Sequence, residues 1–179
     1  MTCIVGIGQN GVSWLGGDSA ATAGDLSKRI IGESKVFVKK NVAFGIAGSP
    51  KIHNALMHTS NFEMLSLKGT HDEVVHNRLI PVIKKTLDEF DCLVGDNRGN
   101  FEGSIIIGLK GKIYRVEANF QVFICKENFD SIGSGSDIAM GSLYATRKLH
   151  PKKRILSALE ASADNNAGVC APFSIVCTK

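Results

Sequence analysis

Apolar and polar positions change their spacing several times along this chain, and the changes mark out its elements. Residues 3–7 form a short run rich in β-branched side chains, Asn10-Gly11 is a tight hairpin signal, and residues 12–17 return as a second strand that ends at Asp18. Residues 20–34 are small and polar apart from the pair Ile30-Ile31, and read as a loop followed by a short strand. Two further strands, 36–38 and 42–48, flank a turn at Lys39-Lys40-Asn41. Pro50 then opens a helix to about His58, with Ser49 as its N-cap.

After an irregular stretch over 59–69, Thr70-x-x-Glu73 is a capping-box pattern. Val75, Leu79, Val82, Ile83, Leu87 and Phe90 follow at helical spacing, and Pro81 is expected to kink or split that helix. Gly95-Asp96-Asn97 and Gly99 mark a loop. Strands over 104–109 and 112–118 are joined by the hairpin signal Lys110-Gly111, and 121–126 reads as one more strand. Gly133-Ser134-Gly135 leads into a helix to about Leu149, capped by Ser136. Pro151 starts another helix, with Ile155, Leu156, Leu159 and Ala163 on one face, and 173–178 closes the chain as a strand. The order strands, helices, strands, helices, strand predicts an α+β fold with two sheets face to face and a helix pair outside each. An unrelated α+β domain would use the same elements.

Composition narrows the classes. A chain of 179 residues, 44% hydrophobic and 21% charged, is expected to form one domain over 1–179. The net charge of +4, with no basic cluster beyond Lys39-Lys40 and Lys152-Lys153-Arg154, gives nucleic acid no footing. No apolar run approaches the ~20 residues that span a bilayer, and no basic segment precedes an apolar one at the N-terminus, so neither a membrane nor a secretory signal is expected. The five cysteines form no C-x-x-C pair and are odd in number, which fits neither a disulfide framework nor a metal site and favours a reducing, cytoplasmic compartment. His53 and His58, like His71 and His76, are five apart and do not share a helix face as ligands would. No metal and no cofactor are expected.

The candidate chemistry begins at Thr2. If Met1 is removed, Thr2 carries a hydroxyl and a free α-amine side by side, a nucleophile with its own base. The α-amine titrates near ~7.7–8.0 and can accept the hydroxyl proton that neutral water would not take. The hairpin of residues 3–17 carries the chain out and back, so Asp18 returns to the neighbourhood of Thr2. Alone, a Met-Thr start is more often without catalytic meaning, and Asp18 alone reads as a turn residue.

Taken in order, Thr2-Cys3-Ile4-Val5-Gly6, Gly17-Asp18-Ser19-Ala20-Ala21-Thr22-Ala23-Gly24, Ser34-Lys35-Val36, Ala47-Gly48-Ser49 and Ile132-Gly133-Ser134-Gly135 resemble the proteasome β-subunit family of N-terminal nucleophile hydrolases. The family includes the peptidase subunit of the bacterial ATP-dependent two-component protease. The resemblance implies a four-layer αββα sandwich of two antiparallel sheets flanked by helix pairs. It implies a threonine endopeptidase with Thr2 as nucleophile, Lys35 as the lysine that stabilises the alkoxide, Asp18 as the carboxylate that holds Lys35, and Gly48 as the oxyanion donor. Ser134 and Asp164 match the supporting pair near the nucleophile's amine, and Ala21, Ile46 and Pro50 the substrate-lining positions, which suggest a mainly apolar pocket. Two departures stand out: one extra residue lies between Asp18 and Lys35, which leaves Lys28 as a rival and Glu33 unassigned, and Ala167 stands where a serine is common. Polypeptide substrates, a hexameric or heptameric homo-oligomeric ring stacked on a second one, and an ATP-driven unfoldase partner are the implied associations. Two alternatives stay open: a non-catalytic ring-forming scaffold, and an amidase of the same nucleophile type acting on a small substrate.

Overall fold

The computed structural model describes residues 1–23, 27–95 and 99–179. In chain order it has strands β1 (Cys3–Gln9), β2 (Val12–Gly17), β3 (Ala20–Ala23), β4 (Ser27–Ile30), β5 (Val36–Lys39) and β6 (Val42–Gly48). Helices α1 (Pro50–His58) and α2 (His71–Val74), a π-helical turn (Val75–Leu79) and α3 (Ile80–Glu89) follow. Strands β7 (Leu93–Val94), β8 (Asn100–Phe101), β9 (Gly103–Leu109), β10 (Lys112–Val116), β11 (Val122–Ile124) and β12 (Phe129–Gly133) lead to helices α4 (Ser136–Ala145) and α5 (Pro151–Asn165) and to strand β13 (Ser174–Cys177). Of the loops read from the sequence, residues 24–26 and 96–97 lie outside the described residues.

Turn chemistry sets the register. Asn10-Gly11, Lys40-Asn41 and Lys110-Gly111 all take positive φ at both central positions, which matches the twist of the strands they join. The antiparallel pairings assemble a four-stranded sheet in the order β12-β1-β2-β13 and a five-stranded sheet in the order β11-β10-β9-β6-β5.

Strands buried on both faces divide their side chains between cores. Val5 and Ile7 of β1 pack with Phe129, Leu143, Ile155 and Leu159 from β12, α4 and α5. Ile4, on the opposite face of β1, packs with Leu15 and Ile132 of its own sheet and with Val36, Ala43, Ile106 and Ile113 of the five-stranded sheet. The other face of that sheet, with Phe44, Ile105, Ile107 and Tyr114, meets Ile52, Leu56, Leu79, Ile83 and Leu87 from the first helical block. Each such fully buried Ile or Leu contributes about 1.5–3 kcal/mol. Close approach between the sheets depends on missing side chains. A Cβ on Gly45 would lie 2.4 Å from Ile4 Cγ2, well inside contact distance.

Local signals account for most element ends. Ser49 is the N-cap of α1 with Pro50 behind it. The Thr70–Glu73 capping box is formed in both directions. Pro81 has no N–H for the carbonyl four residues back, and the helix meets it as a break: the π-helical turn lets Ile80 N–H reach Val75 O, and α3 restarts there.

Four expectations are corrected. Residues 20–34 are not a loop with one strand at its end, because β3 and β4 pair as an antiparallel ribbon. The ribbon has little apolar burial, Ile30 being 65% exposed, so no alternating pattern marks it. β12 was not expected, since Asp130 and Ser131 interrupt its apolar run; the Ser131 hydroxyl is satisfied by Ile4 O at 2.8 Å. α4 is capped by Gly135 and not by Ser136. It stops at Ala145, short of Leu149, where Arg154 of α5 donates to Leu143 O at 3.0 Å and captures a C-terminal carbonyl.

Candidate active site

The pairing of β1 with β2 sets Ile4 opposite Gly17, and one residue further out Asp18 N–H donates to Cys3 O at 3.2 Å. Asp18 is thereby held beside Thr2. Its carboxylate is fully buried and densely bonded: Oδ1 accepts from Cys3 N–H at 2.9 Å, and Oδ2 from Ala20 N–H at 2.8 Å and Cys170 N–H at 3.4 Å. Lys35 reaches the same carboxylate from the start of β5, its Nζ 2.8 Å from Oδ1 with the side chain 11% exposed. The ammonium also donates to Thr2 Oγ1 at 3.0 Å and Ala20 O at 2.6 Å. Three protons meet three acceptors at short range; Met1 O, at 3.4 Å, is the outlying fourth. Lys28, on β4, is exposed, and the structure brings Lys35 rather than Lys28 to Thr2.

The nitrogen of Thr2 has looser surroundings. It is the amide of the Met1–Thr2 bond and donates to Ser134 Oγ at 3.3 Å. The Ser134 hydroxyl lies 3.3 Å from Thr2 O and 3.5 Å from Asn166 Oδ1, and the Asn166 amide donates to Ser134 O at 2.8 Å. Asn166, and not the expected Asp164, is the residue the structure sets against Ser134. Asp164 sits in the last turn of α5, exposed, whereas Asn166 has left the helix as its extended C-cap and folds back. Ala167 is exposed beside it. Behind Ser134, the Ser162 hydroxyl lies 3.0 Å from Gly135 O and ties the β12–α4 junction to α5.

Met1 occupies the approach. Its ammonium donates to Thr22 Oγ1 at 2.9 Å, and its carbonyl accepts the Thr2 hydroxyl proton at 2.6 Å. In this state the hydroxyl proton is directed at an amide oxygen, which is no base.

Thr2 and Gly48 line two cavities. The larger, about 490 Å³, runs along Ala20, Ala21, Ile46 and Pro50 and reaches Glu33 and His53; the smaller, about 290 Å³, is bounded by Ala47, Ser104, Gly133 and Ser134. The three residues expected to line a substrate site, Ala21, Ile46 and Pro50, thus share one wall system. Gly48 adopts φ 150°, and a Cβ there would fall 2.1 Å from Glu102 O, so only glycine fits where β6 passes β9. The sequence reading missed Asn166, Ser104 and His53. Of these only His53 carried a signal, since its spacing from Pro50 puts both on one helix face.

Cys3, next to Thr2, is the stronger nucleophile by type but is fully buried. Burial pushes its thiol pKa up, against smaller lowering effects of Ser162 and Ser131, so it stays protonated at neutral pH. Among the described residues, no group of three His, Cys, Asp or Glu is placed to hold a metal ion, and no helix is long and apolar enough to cross a membrane.

No protein-family model matches the chain, and no curated protein matches it in sequence. Solved structures do match. BPH from Thiobacillus denitrificans, both alone and in complex with epoxomicin, superposes with a TM-score of 0.79 at 20% identity, covering 99% of this chain and 98% of that one. Eukaryotic HslV from Trypanosoma brucei superposes with a TM-score of 0.73 at 16% identity, covering 98% of each. At these identities the likeness is one of fold, and it extends over nearly the whole chain.

Proposed function

We propose that this chain, when it begins at Thr2, is a threonine endopeptidase subunit of a proteasome-like protease. One observation carries the reading: the Lys35 ammonium bridges Thr2 Oγ1 and the buried Asp18 carboxylate at 3.0 and 2.8 Å, at the junction of two cavities. A peptide laid across that junction would place its scissile carbonyl at Thr2 and Gly48, with residues on either side in the two cavities. The α-amine of Thr2 accepts the hydroxyl proton as Oγ attacks the carbonyl carbon. Lys35 stabilises the forming alkoxide, and the Gly48 N–H donates to the oxyanion. The amine then returns the proton to the departing peptide nitrogen, leaving an ester on Oγ that water hydrolyses.

The three cores support the order helices, sheet, sheet, helices of a four-layer αββα sandwich, and the fold neighbours, HslV among them, support a proteasome-like peptidase. The same reading carries a stacked homo-oligomeric ring, hexameric or heptameric, a cytoplasmic setting and an ATP-driven partner that unfolds polypeptide substrates. A non-catalytic scaffold is the second reading. It is favoured by the exposed Asp164, which leaves the amide of Asn166, with no charge, beside Ser134.

Fluorogenic peptide hydrolysis by chains starting at Thr2 or at Ala in its place separates the two. The expected outcome is hydrolysis that Thr2→Ala lowers by about a thousandfold or more with the oligomeric state unchanged by light scattering. Equal rates would exclude Thr2 as nucleophile, and a 19.2 kDa monomer would exclude the ring. Epoxomicin, bound in one BPH structure, is expected to label the chain starting at Thr2 and not the Thr2→Ala variant.

A further inference from the structure

The larger cavity is lined by apolar side chains with polar ones among them. Ile31 and Ile46 form its sides, and Pro50, His53 and Asn54 look in from one face of α1. Glu33 completes the lining just before Lys35 in sequence, at the position the inserted residue left unassigned. Glu33 also lies within electrostatic reach of His53, because its charge acts on that imidazole. Glu33 and the inward face of α1 thus line the same cavity.

The cations of this lining are accounted for. Lys35 is neutralised by Asp18. His53 carries no charge at neutral pH, because burial pushes its pKa below the ordinary value. The terminal ammonium of Met1 leaves with Met1, and the Thr2 amine that replaces it is uncharged in the state that acts as base. The N-terminal turn of α1 brings about half a positive charge to the same space, less than the full negative charge of Glu33. What remains is a cavity with aliphatic walls and one carboxylate without a neutralising partner in the lining, that of the exposed Glu33, whereas the sequence reading expected a mainly apolar pocket.

We infer that this cavity selects substrates with a long basic side chain, arginine or lysine, on the carboxyl side of which the chain is cut, and that Glu33 is the residue that recognises the charge. The methylene stem of such a side chain lies along Ile31 and Ile46, and its cationic head meets Glu33. The inference rests on the peptidase reading and adds the substrate class to it.

The test uses the chain starting at Thr2 and tripeptide coumarin amides that differ only in the last residue, Arg, Leu or Asp. The expected kcat/KM for Arg exceeds that for Leu by about fivefold or more, the upper end for a partly exposed ion pair. Glu33→Gln brings the ratio near one through loss of the Arg advantage, and Glu33→Lys reverses it. Leu cleaved as well as Arg, or a ratio unmoved by Glu33→Gln, overturns the inference and leaves the peptidase reading standing. Calorimetry with acetylated tripeptide amides ending in Arg or Leu covers the other case. If nothing is hydrolysed but the Arg amide binds tighter and loses its advantage in Glu33→Gln, the pocket assignment holds and the peptidase reading fails; equal or undetectable binding of both amides overturns the pocket.

Discussion

On one side of Thr2, Lys35 and Asp18 form a buried ion pair in which every ammonium proton and both carboxylate oxygens have partners at 2.6–3.4 Å. On the other, Ser134 and Asn166 form an exposed pair whose contacts through the Ser134 hydroxyl are 3.3–3.5 Å long. The two sides serve the same residue but follow different physics. A buried charge must be fully paired or it destabilises the fold by several kcal/mol, so the hydroxyl side admits one arrangement. Exposed hydroxyls and amides exchange partners with water at little cost, so the nitrogen side can change as the chemistry of the nitrogen changes from amide to amine.

That contrast can be broken most easily at Lys35. Lys35→Ala is expected to lower peptide hydrolysis by about a thousandfold. It is also expected to lower Tm by about 5–10 °C, because Asp18 stays buried with only its N–H partners. Lys28→Ala should change hydrolysis less than about twofold, as for a surface residue. Reversed behaviour of the two lysines in kinetic and thermal assays would mean that the inserted residue had misplaced the pairing. A middle-sized effect belongs to the nitrogen side: Ser134→Ala is expected to lower kcat by about tenfold with Tm nearly unchanged. Asn166→Ala should do less, and Asp164→Ala should be silent in the same assay. An Asp164 effect larger than that of Asn166 would contradict the geometry. The smallest effect concerns Cys3. With its thiol pKa raised by burial, iodoacetamide at neutral pH should leave Cys3 unmodified while the exposed Cys177 reacts, as peptide mass mapping would record.

Sequence legibility followed the same divide. Asn10-Gly11 and the strands around it fixed where Asp18 returns, because a two-residue turn leaves no freedom of register. Ser49-Pro50 and Thr70–Glu73 were legible because caps are local chemistry. Lys35 was preferred to Lys28 because it directly precedes the apolar run Val36-Phe37-Val38. The ribbon itself and β12 were not legible: one lacks a buried face, and the other hides its period behind Asp130 and Ser131. Asn166 was missed for a related reason. The chain leaves α5 within two residues of Asp164, and which polar side chain folds back depends on backbone angles past the helix end that no spacing rule supplies. His53 on α1 and Glu33 in the loop before β5 line one cavity, which a linear pattern cannot express.

The central claim is that Thr2 acts through a free α-amine. The direct measurement compares two preparations of the same chain, one retaining Met1 and one released with Thr2 first, each verified by intact mass and assayed on one fluorogenic peptide. In the first the Thr2 hydroxyl proton is held by Met1 O at 2.6 Å and the nitrogen is an amide; in the second the nitrogen is a base. Hydrolysis at least about a thousandfold faster in the Thr2-first preparation is the predicted result. Equal rates in the two preparations would contradict the account, because a nucleophile without its own amine would then suffice.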